Sequence, residues 1–304
     1  MFGVYLGGIS FDYQIPNEVS TRAMRTEARS RGRFSLSEIL YADDAAMFFK
    51  TREALNTALK IIDEELTRFG LILSLGKTET MVINDDSREC EQPSIASLNG
   101  YDLKNTQEFK YLGLMTSTVN DEKFLQHRIA MALSKFSALK PLLTDCRIAM
   151  ELRVKFLNSF VRSRLTYSAA IWNLKESQIA QLEVVWCRLL RRMVRKGFAR
   201  REDFSMVLPN RRIYEITGAR TIESYLRHQQ LRWLGHVCRM PNTSFQKRLL
   251  FSKGAKYQRD IWTKLEKITN MDRSQLQRSM MTRNEFFSLL DSLFVNLVAT
   301  FEQN

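Results

Sequence analysis

Two adjacent carboxylates, Asp43 and Asp44, stand in the stretch Tyr41-Ala42-Asp43-Asp44. An apolar run precedes them (Ile39-Leu40) and another follows (Ala45-Ala46-Met47-Phe48-Phe49). Acidic residues between two strand-prone runs read as a tight β-hairpin with its carboxylates at the turn. Neighbouring carboxylates repel each other and are costly to desolvate, so an apolar core alone does not keep them. A hard divalent cation offsets that cost, because such ions take oxygen ligands. The chemistry this pair could do is therefore one half of a metal site for phosphoryl transfer. An ordinary surface turn explains the four residues equally well, since Asp is a common turn residue.

The surrounding chain narrows the choice. At 304 residues it is long enough for a substantial core and two or three subdomains. Hydrophobic residues make up 44% and Gly and Pro are few, which fits a folded globular chain. Lys and Arg number 46 against 33 Asp and Glu, a net charge of +13. That excess points to a polyanionic partner, nucleic acid before an anionic membrane surface. No apolar stretch is long enough to span a bilayer, and the apolar start Met1–Leu6 lacks a basic leader. Cys90, Cys146, Cys187 and Cys238 are far apart and form no metal-ligand spacing, so reduced and mostly buried thiols are expected. The expected residence is intracellular, nuclear or cytoplasmic, and not secreted.

The elements that must position the hairpin follow in order. Residues 18–33 carry Arg22, Arg25, Arg29, Arg31 and Arg33 and read as a loop or short helix before the strand leading to Tyr41. Thr51 is a fitting N-cap for a helix with Leu55, Leu59, Ile62, Leu66 and Phe69 on one face, and Gly70 suits its end. Strands are expected at 71–75 and 80–83 around a turn at Gly76-Lys77-Thr78. Asn99-Gly100 signals a type I′ hairpin. Residues 109–115 read as one further strand with Gly113 in its middle. From about 122 the apolar period becomes helical. One stripe, Leu125 to Leu139, closes at Pro141; others run Met150 to Leu165 and Ile179 to Met193. Their remaining faces are basic, with Arg153, Lys155, Arg162 and Arg164, then Arg188, Arg191, Arg192, Arg195 and Lys196. One more helix is expected to end at Pro241, and one or two more within 257–303. His236, Cys238 and His228 fit no zinc pattern and are expected to be packing and surface residues.

This order of elements resembles the reverse transcriptases of non-long-terminal-repeat (LINE-type) retrotransposons. The residues that carry the likeness are Tyr41-Ala42-Asp43-Asp44, Gly76-Lys77-Thr78-Glu79, Phe109-Lys110-Tyr111-Leu112-Gly113 and Leu231 to Met240. The family usually places Asn shortly before Lys-Thr, where this chain has Ser74 and Leu75. The resemblance implies an α+β fold: a partial polymerase palm over 1–120, a basic helical thumb over 121–210 and a helical C-terminal region over 211–304. It implies RNA-directed DNA polymerase chemistry with Mg2+ or Mn2+, on an RNA template and a DNA primer. It makes Asp43 and Asp44 the metal ligands and Lys77 the group that neutralises the leaving pyrophosphate. Tyr111, Leu112 and Gly113 would grip the primer end. Arg153, Lys155, Arg188, Arg191, Arg192, Arg195 and Lys196 would follow the phosphates.

The family also uses a carboxylate from an earlier palm strand, a nucleotide-binding segment and basic fingers, more chain than residues 1–40 supply. Asp12 is not expected to substitute for that carboxylate. The expectation is a C-terminal portion, inactive by itself. The alternative is a non-catalytic nucleic-acid-binding protein derived from a retroelement.

Overall fold

The computed structural model describes residues 8–16, 31–83, 92–117, 122–194, 208–252 and 256–299. The chain is α+β, with small and mostly antiparallel sheets followed by helices. It divides into two compact units. The first is drawn from residues 1–14 and 31–124, and the second from 15–30 and 125–304.

In the first unit, β1 (Ile9–Gln14) pairs antiparallel with β2 (Arg31–Leu36). β3 (Glu38–Tyr41) and β4 (Asp44–Met47) form the expected acidic hairpin, in register Tyr41 to Asp44. α1 (Arg52–Arg68) begins where Thr51 Oγ1 accepts from the Ala54 amide at 3.2 Å. It ends in a Schellman turn: Gly70 has φ +71°, its amide bonds the Thr67 carbonyl, and the Leu71 amide bonds that of Leu66. Leu59 of α1 packs on Ala96, Leu98 and Leu103, with Leu55, Leu73 and Leu75 against them. Ala96 and Leu98 belong to β6 (Ala96–Leu98) and Leu103 to β7 (Tyr101–Asn105), which pair as a hairpin. Its turn, Asn99-Gly100, has φ of 53° and 78°, as a type I′ turn requires.

Three strand expectations change. Residues 71–75 are irregular: Leu73 and Leu75 reach the core beneath α1 while Ile72 stays almost fully exposed. The expected strand at 80–83 shrinks to β5 (Glu79–Thr80), which pairs parallel with β7. The single strand at 109–115 is a hairpin of β8 (Glu108–Tyr111) and β9 (Leu114–Ser117), with Leu112 and Gly113 at its turn. Both turn residues have positive φ, 47° and 79°. A strand cannot continue through two left-handed residues, so the chain reverses there.

The second unit is helical. α2 (Glu122–Leu143) runs two residues past Pro141, whose missing amide falls in the last turn. α3 (Met150–Phe156) passes into a π-helical stretch, Leu157–Arg162, and ends as the short α4 (Ser163–Leu165). α5 (Glu176–Val194) buries Ile179, Leu182, Trp186, Leu189, Leu190 and Met193, the stripe expected of it. Then come α6 (Asn210–Thr217), α7 (Ile222–Arg239) and α8 (Phe245–Leu250). Three more helices follow where one or two were expected: α9 (Lys256–Thr269), α10 (Arg273–Met281) and α11 (Arg283–Ala299). A buried Leu, Ile or Phe contributes roughly 1.5–3 kcal/mol, so the long apolar stripes hold this unit together.

Polar bonds tie the helices on either side of residue 210. The Glu183 carboxylate accepts from the Ile222 amide at the start of α7, at 2.8 Å, and from the Tyr214 hydroxyl of α6. Trp186 Nε1 donates to the Arg220 carbonyl at 3.1 Å, and Gln230 Nε2 to that of Trp172 at 2.7 Å.

Candidate metal hairpin and nucleic-acid surface

The acidic turn is short because only Ala42 and Asp43 lie between the paired residues Tyr41 and Asp44. Ala42 sits at φ +52°, a conformation disfavoured for a residue with a Cβ. The effect is to place Asp43 in the turn and Asp44 at the first position of β4, so that both carboxylates stand at the tip of the hairpin. Asp43 and Asp44 are both exposed, and so are Tyr41 and Leu40 beside them. The strands are extended by a bond from the Phe48 amide to the Ser37 carbonyl at 2.8 Å.

The hairpin expected to grip a primer lies against this one. The Tyr111 hydroxyl donates to the Ile39 carbonyl at 3.4 Å, and the Phe109 and Tyr111 rings stack 6.3 Å apart. The turn Leu112-Gly113 and the turn Ala42-Asp43 therefore belong to neighbouring ribbons. Lys77 is exposed in the turn after α1, whose backbone is fixed by bonds from the Lys77 and Thr78 amides to the Ser74 carbonyl. Among the described residues no ion pair joins Lys77 to Asp43 or Asp44.

Oxygen donors on adjacent residues suit Mg2+ or Mn2+. Mg2+ in particular is usually held by one or two carboxylates, with water and substrate phosphates completing its shell. The donor set at Asp43 and Asp44 fits that arrangement. Among the described residues no third His, Cys, Asp or Glu joins them in a cluster that could hold an ion. Asp12 is engaged elsewhere, in an ion pair with Arg33 at 2.8 Å.

The basic residues of the helical unit fall into two groups. Some are structural. Arg153, expected to contact phosphate, is buried, and its guanidinium donates to the carbonyls of Met193 at 3.1 Å and Leu143 at 3.5 Å. It thus satisfies carbonyls at the ends of α5 and α2 and is withdrawn from the phosphate-contacting set. Arg191 is also committed, bonding the Leu208 carbonyl at 3.0 Å and the Asn210 side chain. Arg162 lies over the Tyr225 ring at 4.1 Å, Arg227 is buried among Gln230, Glu176 and Glu223, and Lys247 is fully buried with its ammonium on the Met240 carbonyl. The second group is exposed: Lys155, which pairs with Glu151 at 2.7 Å, then Arg164, Arg188 and Arg192. Arg195 and Lys196 lie outside the described residues.

His236 is exposed while Cys238 is buried, so they occupy different sides of α7. Burial pushes the Cys238 and Cys187 thiols up to about 12, which keeps both protonated and unreactive. Cys146 is exposed, and Cys90 lies outside the described residues. No described helix is long and apolar enough to cross a membrane.

No curated protein and no solved structure matches the chain significantly. Residues 5–116 match the family model of reverse transcriptase (RNA-dependent DNA polymerase). The match takes in the acidic hairpin, the Lys77 turn and almost all of the Tyr111 hairpin. The segment 5–116 is therefore reverse-transcriptase-like, and the helices from α2 onward lie beyond the match.

Proposed function

We propose that this chain is the palm-to-tail portion of an RNA-directed DNA polymerase of a non-long-terminal-repeat retrotransposon. The observation that carries the reading is the pair of adjoining hairpins, Asp43-Asp44 and Leu112-Gly113, inside the matched segment. In this reading 1–120 is the palm, 121–210 the thumb and 211–304 the C-terminal region. Asp43 and Asp44 hold a divalent cation by their carboxylate oxygens. When bound, that ion neutralises charge at the reacting phosphates and favours the ionised primer 3′-hydroxyl. The backbone around Tyr111, Leu112 and Gly113 positions the primer terminus, and Lys77 offsets charge on the leaving group. Exposed cations, Lys155, Arg188 and Arg192 first, bind the template–primer phosphates without reading sequence.

Two carboxylates on one hairpin do not span two ions in the geometry that nucleotidyl transfer needs. We therefore infer that these 304 residues do not polymerise alone. Primer extension on an RNA template with Mg2+ tests this. No incorporation is expected, and robust incorporation abolished by Asp43→Ala would overturn it. A second reading, a nucleic-acid-binding protein without catalysis, is favoured by the lack of a third ligand among the described residues and by the exposed cations of α5. A salt titration of duplex binding tests what both readings share. Affinity should fall steeply between about 50 and 200 mM salt, and an affinity indifferent to salt would remove the exposed cations as the binding surface.

A further inference from the structure

The face of α3–α4 turned to solvent is neither simply polar nor simply basic. Leu152 of α3, Phe160 of the π-helical stretch, Tyr167 in the turn after α4 and Ile171 of the 3-10 turn Ala169–Ile171 are each more than 40% exposed, and the same segment exposes Lys155 and Arg164. α2 lies beside this face. Lys135 Nζ is 5.7 Å from the Phe160 ring centre, the Arg128 guanidinium is 4.6 Å from that of Tyr167, and Met131 is exposed between them in sequence. The π-helical stretch carries Phe160, and the ring of Phe156 stacks on it at 6.2 Å, fixing its orientation. Four large exposed apolar residues on one short segment are a patch and not scatter.

The charge around the patch is predominantly positive, with Glu151 paired to Lys155 at its edge. From Lys123 to Thr144, and again from Leu152 to Lys175, the sequence contains no Asp or Glu. Surfaces kept only for solubility intersperse both signs. Aromatic rings exposed among mostly cationic neighbours, with Glu151 on Lys155 a nearby ion pair, match an unpaired nucleic-acid strand, whose bases stack on rings while its phosphates meet the cations. A duplex hides its base faces, so it would use the cations and leave the rings idle.

We propose that Phe160 and Tyr167 form a stacking platform for an unpaired strand of nucleic acid, with Lys135, Lys155 and Arg164 on its phosphates. The inference rests on the reading of this unit as nucleic-acid-binding and adds a strand form and a place. Loss of the Phe160 and Tyr167 rings would therefore weaken single-strand binding without weakening duplex binding, while Lys155 serves both. Loss of one base–aromatic stack weakens single-strand binding by roughly five-fold or more.

The test is fluorescence anisotropy of the full chain with labelled rU12, labelled dT12 and a blunt 20-base-pair duplex, with sedimentation of each variant. Phe160→Ala and Tyr167→Ala should each weaken rU12 or dT12, or both, by about five-fold, leave duplex affinity within two-fold, and leave the mass unchanged. The two oligonucleotides tell whether RNA or DNA is preferred. Phe160→Tyr, which keeps a ring, should restore the affinity and guards against a folding artefact. The platform is overturned if the double alanine variant binds both single strands within two-fold of the parent while duplex binding persists. It is equally overturned if that variant instead changes the oligomeric state, which would make the patch a contact between copies. If the parent binds none of the three probes at 50 mM salt, the nucleic-acid reading of the unit fails along with the platform.

Discussion

Gly235 lies in the middle of α7, and its role can be worked from geometry. A Cβ at this position would stand 2.4 Å from Cε1 of Phe286 and 2.8 Å from its Cζ. Phe286 is fully buried, so its ring has no open side to swing into. Gly235→Ala brings two opposing terms. Alanine gains about 1 kcal/mol over glycine in a helix interior. Overpacking a well-filled core costs about 1–3 kcal/mol, and a 2.4 Å approach belongs at the upper end. The net expectation is a loss of about 1–2 kcal/mol, read as a lower urea midpoint with an unchanged slope. Phe286→Leu removes the two offending carbons, so in that background Gly235→Ala should become neutral or stabilising by up to about 1 kcal/mol. Such a sign change is the signature of direct contact. If Gly235→Ala is at least as stable as the parent, or equally damaging in both backgrounds, the packing account of this glycine is wrong.

Arg153→Met should destabilise the helical unit by about 2–4 kcal/mol, because it strands the Leu143 and Met193 carbonyls, yet leave duplex affinity unchanged. Chemical denaturation and anisotropy on the same sample check both halves. Ala42→Gly should relieve a left-handed alanine worth about 1–2 kcal/mol, less the extra flexibility glycine gives the unfolded chain. Slower amide exchange in β3 and β4 would show it, and faster exchange would count against strain at that turn. His228 is half-buried; burial first, then Arg220, Arg232 and Arg162, hold its pKa below the usual 6.5, with Asp291 opposing. A lowered histidine pKa means the folded state resists protonation. Its contribution is complete above about pH 6.5 and lost as pH falls through the lower folded value. Acid melts should therefore flatten in His228→Gln, and identical pH profiles would refute the assignment.

Much of the site was legible because its signals are local. The alternation around Asp43-Asp44, the Thr51 and Gly70 caps and the Asn99-Gly100 turn each need only a few residues to specify a conformation, and each is found as expected. The Leu112-Gly113 turn was missed because leucine is no turn signal, and nothing local announces its positive φ. The apolar run 71–75 looked like a strand because Leu73 and Leu75 are core residues, but burial under α1 does not require a strand partner. The net charge of +13 announced a polyanion without saying which cations face it. Arg153, Arg162, Arg227 and Lys247 are spent on carbonyls, rings and carboxylates inside the helical unit, and only tertiary packing reveals that. The aromatic platform was hidden for the same reason, since Phe160 lies on a helical segment whose other face is core and Tyr167 in the turn that follows it.

The central claim is that the tip of the β3–β4 hairpin is a divalent-cation site. It is tested most directly by titrating Mn2+ into the isotopically labelled chain and following paramagnetic broadening of backbone amide signals. Broadening should begin at residues 42–46, should exceed that around Asp85-Asp86, the other Asp-Asp pair in the sequence, and should vanish in Asp43→Asn. Equal broadening at both pairs, or none at the hairpin, would mean that Asp43 and Asp44 are only a surface turn.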